Sequence, residues 1–126
     1  MRGLPPALRR KRRYVAFEIV RFQSDEQGSD GVDKLEARDF LNELWGIVLS
    51  LYGEWYGNLG LKLEVFDGKK GIVRCSRDKV NALVVALTLI TEIKGVRVAV
   101  ITTGVSGTIK GCMRFLRTSD PRTSEQ

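Results

Sequence analysis

Apolar and polar residues alternate from Tyr14 to Arg21, with Val15, Phe17 and Ile19 on one side and Tyr14, Ala16 and Glu18 on the other. A period of two predicts a half-buried strand. Residues 23–33 are polar and glycine-containing, which predicts a mobile loop. The period then changes. Phe40, Leu41, Leu44, Trp45, Val48, Leu49 and Tyr52 form one continuous apolar stripe at helical spacing. Asp33 and Glu36 have the spacing of a capping box at its start, and Gly53 suits the C-cap. The stretch from Glu54 to Gly60 predicts a compact turn or short helix. Leu61, Leu63 and Val65 alternate with Lys62, Glu64 and Phe66 in a second strand. Asp67-Gly68 is a hairpin turn signal, and Gly71 to Ser76 is the third strand. Ser76 or Asp78 can cap a second helix carrying Val80, Leu83, Val84, Leu87 and Ile90, which Gly95 ends. Val96 to Thr103 is the fourth strand. Gly104 to Gly107 is a turn, and Ser106 is placed to cap a last helix running to about Leu116.

The order β-α-β-β-α-β plus a C-terminal helix predicts an α+β protein. Its expected form is a ferredoxin-like sandwich of RRM-like topology, with two helices on one face of a four-stranded antiparallel sheet. The inward positions are then Val15, Phe17 and Ile19, Leu61, Leu63 and Val65, Val73 and Cys75, and Val96, Val98 and Val100. The other face carries Tyr14, Ala16, Glu18, Phe66, Ile72, Arg74, Arg97 and Ile101. That face is too apolar for plain solvent surface, so it should meet the C-terminal helix, another protein or RNA. Tyr14, Phe66, Ile72 and Ile101 are the protein-interface candidates. The chain of 126 residues suits one core. The expected organisation is a basic arm over 1–13, one domain over 14–117 and a flexible tail over 118–126.

Charge changes the picture. Six of the 21 basic residues lie within 1–13 with no acid among them, leaving fifteen cations to face fifteen acids in the rest of the chain. The whole net charge of +6 therefore sits in the arm, chiefly in Arg9-Arg10-Lys11-Arg12-Arg13. A positive arm on a neutral domain is the footprint of a polyanion binder. Each arginine can hold a phosphate through two parallel donors. A solubilising or disordered tail is the alternative account of such a run, and contact with nucleic acid is favoured over it. A second cluster is Lys69, Lys70, Arg74, Arg77 and Lys79, with Arg74 on the open sheet face. A third candidate is Ser106-Gly107-Thr108-Ile109-Lys110, where a helix start would aim N–H groups at an anion; an ordinary capped helix has the same spacing. Because Arg12 and Arg13 run straight into the first strand, they are expected to be held near the sheet, with Arg9 and Arg10 ordering only on RNA.

Catalysis by this chain finds little support. It has no histidine, and its acids from Asp25 to Glu43 fit a solvated surface. The segment 104–108 lacks the glycine order of a nucleophile elbow or a phosphate-binding loop. Cys75 and Cys112 have no metal-binding spacing, and no stretch has the length of a membrane span, so the expectation is a soluble, cytoplasmic protein. Stacking of bases on strand aromatics is disfavoured, because Ile72 and Arg74 stand where that mode needs rings. Contact with the backbone of a folded RNA fits better.

Several blocks together resemble a known family. They are Leu8 to Tyr14 entering Phe17-Glu18-Ile19, the Gly53 to Gly60 turn, Gly71 to Arg77, and Gly104 to Lys110. In this order they are similar to the archaeal ribonuclease P protein component 2 family, homologous to a small eukaryotic subunit of ribonuclease P and ribonuclease MRP. The resemblance implies a non-catalytic subunit of the ribonucleoprotein that removes 5′ leaders from precursor tRNA. It implies an RNA subunit that carries the catalysis and uses Mg2+, with no cofactor in this chain. It also implies a TIM-barrel-like protein partner, with two copies of each able to assemble. By the same resemblance Arg9, Arg10, Lys11, Arg12, Arg13, Arg74, Arg77, Ser106, Gly107, Thr108 and Lys110 are the RNA-contact candidates. A different class of function remains open: an adaptor that docks a partner protein on the open sheet face, with incidental RNA contact. A metabolite-binding regulatory domain is a third, with no pocket residues to argue for it.

Overall fold

The computed structural model describes residues 11–22, 35–53 and 59–117. Five strands and three helices follow in the order β1 (Arg12–Arg21), α1 (Ala37–Tyr52), β2 (Lys62–Phe66), β3 (Lys70–Ser76), α2 (Val80–Thr88), β4 (Glu92–Ile93), β5 (Val96–Ser106) and α3 (Ile109–Arg117). The sheet order is β2-β3-β1-β5-β4, and every neighbouring pair is antiparallel. The sheet thus has five strands where four were expected. The added one is β4, a two-residue strand hairpinned to β5. Its turn is Lys94-Gly95, both at positive φ (52° and 83°), the backbone that a tight two-residue hairpin turn demands. Gly95 therefore turns a hairpin rather than ending a helix, and α2 stops at Thr88.

Two apolar layers sandwich the sheet. On one side Val15, Phe17, Ile19, Val73, Cys75, Val98 and Val100 meet Phe40, Leu44 and Val48 of α1 and Leu83, Ala86 and Leu87 of α2. On the other, Ala16 and Ile72 are buried with Cys112 of α3, and Tyr14, Val65, Met113, Phe115 and Leu116 pack around them. The C-terminal helix thus covers the part of the open face around Ala16 and Ile72, one of the three occupants its apolarity required. No helix among the described residues is long and apolar enough to cross a membrane.

A bulge corrects the facing of β2. The register with β3 shifts between Leu63 and Val65, so an extra residue on β2 reverses the alternation beyond it. Val65 faces α3, and Phe66 turns into the main core, the opposite of what strict alternation predicts. There Phe66 lies 5.3 Å from the ring of Phe40 and 6.3 Å from that of Phe17, and Phe17 stacks on Phe40 at 4.8 Å. Gly71 makes room for this cluster, since a methyl there would come within 2.6 Å of the Phe17 ring edge. A second bulge, opposite Ala16 and Phe17, lets β5 run on to Ser106, so Gly104 is strand and not turn.

The helix ends differ in detail. Glu36 is the N-cap residue of α1 without a side-chain bond, and Asp33 falls outside the described residues. A 3-10 turn, Arg77–Lys79, leads into α2 where Ser76 or Asp78 was expected to cap, and neither does. Gly53 ends α1 at φ 58°, as its position implied. At the Asp67-Gly68 hairpin, the Asp67 carboxylate accepts hydrogen bonds from the N–H groups of Lys69 and Lys70, both at 2.8 Å.

Candidate nucleic-acid interface

Strand pairing gathers the basic segments at one end of the sheet. Strand β1 starts at Arg12, so Arg12 and Arg13 are part of it, held at the sheet as expected. Arg12 lies opposite Ser76, Arg13 opposite Cys75, and Tyr14 opposite both Arg74 and Ser106. The Arg77 N–H donates to the Lys11 carbonyl at 2.9 Å and extends the ladder by one rung. Lys11 to Arg13, Arg74 to Arg77 and Ser106 to Thr108 therefore share the end of three adjacent strands. Arg9 and Arg10 lie outside the described residues.

Within this end, Lys11, Arg12, Arg77, Gly107, Thr108 and Lys110 are exposed, and Arg13, Arg74 and Ser106 are half-buried. The Arg13 guanidinium donates to the Arg12 carbonyl at 2.9 Å and lies over Gly107, where a methyl would sit 3.6 Å from Nη1. The last residue of the basic run and the glycine loop before α3 are neighbours in space. Arg74 has a different environment. It pairs with Glu64 at 3.5 Å, and both side chains are largely covered, so part of its charge is already answered within the protein.

The α3 start is capped by Thr108 rather than Ser106. Thr108 Oγ1 accepts from the Gly111 N–H at 3.0 Å, while Ser106 Oγ accepts from the Thr108 N–H at 3.3 Å. The N–H groups of Ile109 and Lys110, in the first turn, have no intrahelical acceptor.

The second basic cluster divides. Arg74, Arg77 and Lys79 belong to this end, where Lys79 lies 3.9 Å from Asp78. Lys69 and Lys70 are at the far end of β3, and Lys70 Nζ donates to the Leu116 carbonyl at 2.8 Å, fastening the C-terminus of α3. Two exposed cations on α3, Arg114 and Arg117, escaped the sequence reading, although their spacing from Lys110 was open to view.

Of the interface candidates, Ile72 is fully buried under α3, Tyr14 is half-buried beside it, and Phe66 belongs to the other layer. Ile101 remains exposed, opposite Glu18 of β1. Both thiols are buried. Burial pushes Cys75 up to about 11, with Asp78 adding to the rise and Arg13 partly opposing it. Burial likewise raises Cys112 to about 11, and its Sγ donates to the Tyr14 carbonyl at 3.2 Å. Among the described residues no three His, Cys, Asp or Glu side chains converge as a metal site.

Comparison with known proteins bears on this geometry. Residues 13–117 match the model of the Rpp14/Pop5 family. The chain is 46% identical over 114 residues to "Ribonuclease P protein component 2" of Archaeoglobus fulgidus, covering 90% of this chain and 95% of that one. It is 37% identical over 124 residues to the protein of the same name from Methanocaldococcus jannaschii, covering 97% and 85%. A chain in the cryo-EM structure of yeast ribonuclease MRP shares the fold, with a TM-score of 0.65, 13% identity and coverage of 92% and 93%. With a family model spanning all of the described sheet but its first residue, and relatives matched nearly end to end, this chain belongs to the Rpp14/Pop5 family.

Proposed function

We propose that this chain is a protein subunit of ribonuclease P that binds the catalytic RNA and braces it for removal of 5′ leaders from precursor tRNA. The observation carrying this reading is the convergence of Lys11 to Arg13, Arg77 and the loop before α3 at one end of the sheet, in a member of this family. Such an end neutralises backbone phosphate and orients the RNA without reading bases. In sequence the basic run also includes Arg9 and Arg10. Arg74 serves as a support, because Glu64 holds it. The strand order, with β1 and β3 in the middle and β5 and β2 beside them, supports reading the fold as a ferredoxin-like, RRM-like sheet to which β4 is an addition.

The Mg2+ that the family resemblance implies belongs on this reading to the RNA phosphates. This chain supplies cations that reduce repulsion among those phosphates. The protein partner, a TIM-barrel-like subunit joined in a two-plus-two assembly, is proposed to dock on apolar surface that the fold leaves exposed. Leu49 and Leu51 on α1, Val85 on α2 and Leu89 just past its end are such residues, and with Ile101 they favour the adaptor role alongside RNA binding.

The test replaces Arg9, Arg10, Lys11, Arg12 and Arg13 with alanine and measures affinity for ribonuclease P RNA against salt. Loss of five phosphate contacts should reduce the slope of log affinity against log salt by about 3.5–4.5. An unchanged affinity and slope would remove the arm from the interface. Precursor-tRNA cleavage by RNA and partner subunits, with and without this chain, checks the role itself.

A further inference from the structure

We propose that the solvent-facing side of α3 is a second track for the RNA phosphate backbone, carried by Lys110, Arg114 and Arg117. The inference rests on the RNA-binding reading above and extends its surface. At 100° per residue, positions i, i+4 and i+7 fall within about 60° of one another and span about 10 Å along the axis. All three side chains are exposed. The opposite side of the helix holds Cys112, fully buried against Ala16 and Ile72. No acidic residue occurs between Ile109 and Arg117.

Helix stability does not account for the whole of this pattern. Arg114 and Arg117 in the last turn complement the helix dipole, but Lys110 in the first turn opposes it, and so does the Arg13 guanidinium over Gly107. The Arg114 guanidinium also lies 5.7 Å from the Phe115 ring, and an external anion is what would engage Lys110, Arg114 and Arg117 together. The anion must be extended, because the three charges are strung along the axis rather than gathered at a point. Arg13, Gly107 and Lys110 join the ridge to the basic end of the sheet, so one strand of backbone can pass from one to the other. A membrane surface fits poorly, since the apolar side of α3 is spent on the sheet and no apolar residue shares the basic arc.

The experiment uses the full chain with ribonuclease P RNA and compares wild type with the Lys110→Gln/Arg114→Gln/Arg117→Gln variant. Glutamine keeps helix propensity, and a thermal melt checks the fold. Loss of three contacts should lower the salt slope by about 2–2.7, which is roughly a 50- to 150-fold loss of affinity at ~0.15 M salt. Arg114→Lys/Arg117→Lys should retain the slope. The single variants, each expected to lower it by ~0.7–0.9, provide the reading if the triple variant melts early. A triple variant with wild-type slope, while Arg9 to Arg13→Ala still lowers it, overturns the ridge and leaves the RNA-binding reading standing. Wild type that binds RNA without salt dependence overturns both. Equal dependence of anionic-vesicle binding on the same three residues would assign the ridge to a lipid surface instead.

Discussion

Gly104→Ala should destabilise this protein, although a strand position ordinarily gains from losing a glycine. The backbone at Gly104 is not in the left-handed region, so alanine brings no strain of its own. Replacing glycine inside a strand should by itself stabilise by about 0.5–1 kcal/mol. The packing opposes this. A methyl at Gly104 would fall on the face of the Phe115 ring, and the three nearest atoms all belong to that ring. The ring has to retreat by about 1 Å to reach ordinary contact. It cannot do so alone, because α3 is held at the Cys112 to Tyr14 hydrogen bond of 3.2 Å and at the Lys70 to Leu116 bond of 2.8 Å. Overpacking of this kind costs about 1–3 kcal/mol. The net expectation is a loss of about 1–2 kcal/mol, or roughly 4–8 °C in melting temperature. Urea unfolding of Gly104→Ala, Phe115→Ala and the double variant measures it. The two changes should couple, with Gly104→Ala neutral or stabilising once Phe115 is gone. A Gly104→Ala protein more stable than wild type, or strict additivity in the cycle, would refute the account of how α3 docks.

Two further outcomes follow from the core. Phe66→Ala should cost at least ~2 kcal/mol in denaturant unfolding, because the bulge in β2 places the ring against Phe17 and Phe40; a cost under ~0.5 kcal/mol would return Phe66 to the outer face. Stability should also fall in alkali. Both thiols have folded pKa values raised from 9.0 to about 11, so between those limits the unfolded chain loses protons first. Their contribution is complete below pH 9 and is lost as pH rises toward 11, at about 1.4 kcal/mol per unit for each thiol at most. A Cys75→Ala/Cys112→Ala protein should show a flatter decline over that window in thermal melts, and an identical decline would exclude the thiols as its cause.

The elements that the sequence alone determined are those whose causes are local. The stripe from Phe40 to Tyr52 needs only a period of 3.6 and a terminal glycine, and α1 ends at Tyr52 with Gly53 at positive φ. Strand β1 needs only alternation, and the Asp67-Gly68 turn only its own two residues. The segregated charge of the arm was equally open, since counting residues requires no fold. Tertiary structure decided what depends on a partner strand. Val65 and Phe66 exchange faces because a bulge inserts one residue relative to β3, and nothing inside β2 announces it. Glu92-Ile93 is a strand only because β5 lies beside it. Gly104 reads as a turn glycine until Phe115 is placed on it. The candidate site is of this second kind. Arg13 and Gly107 are far apart along the chain, and the pairing of β1 with β5 makes them neighbours. A pattern along the chain reports which face a residue prefers. Which residues from distant segments meet is set by register, and register is a property of the assembled sheet.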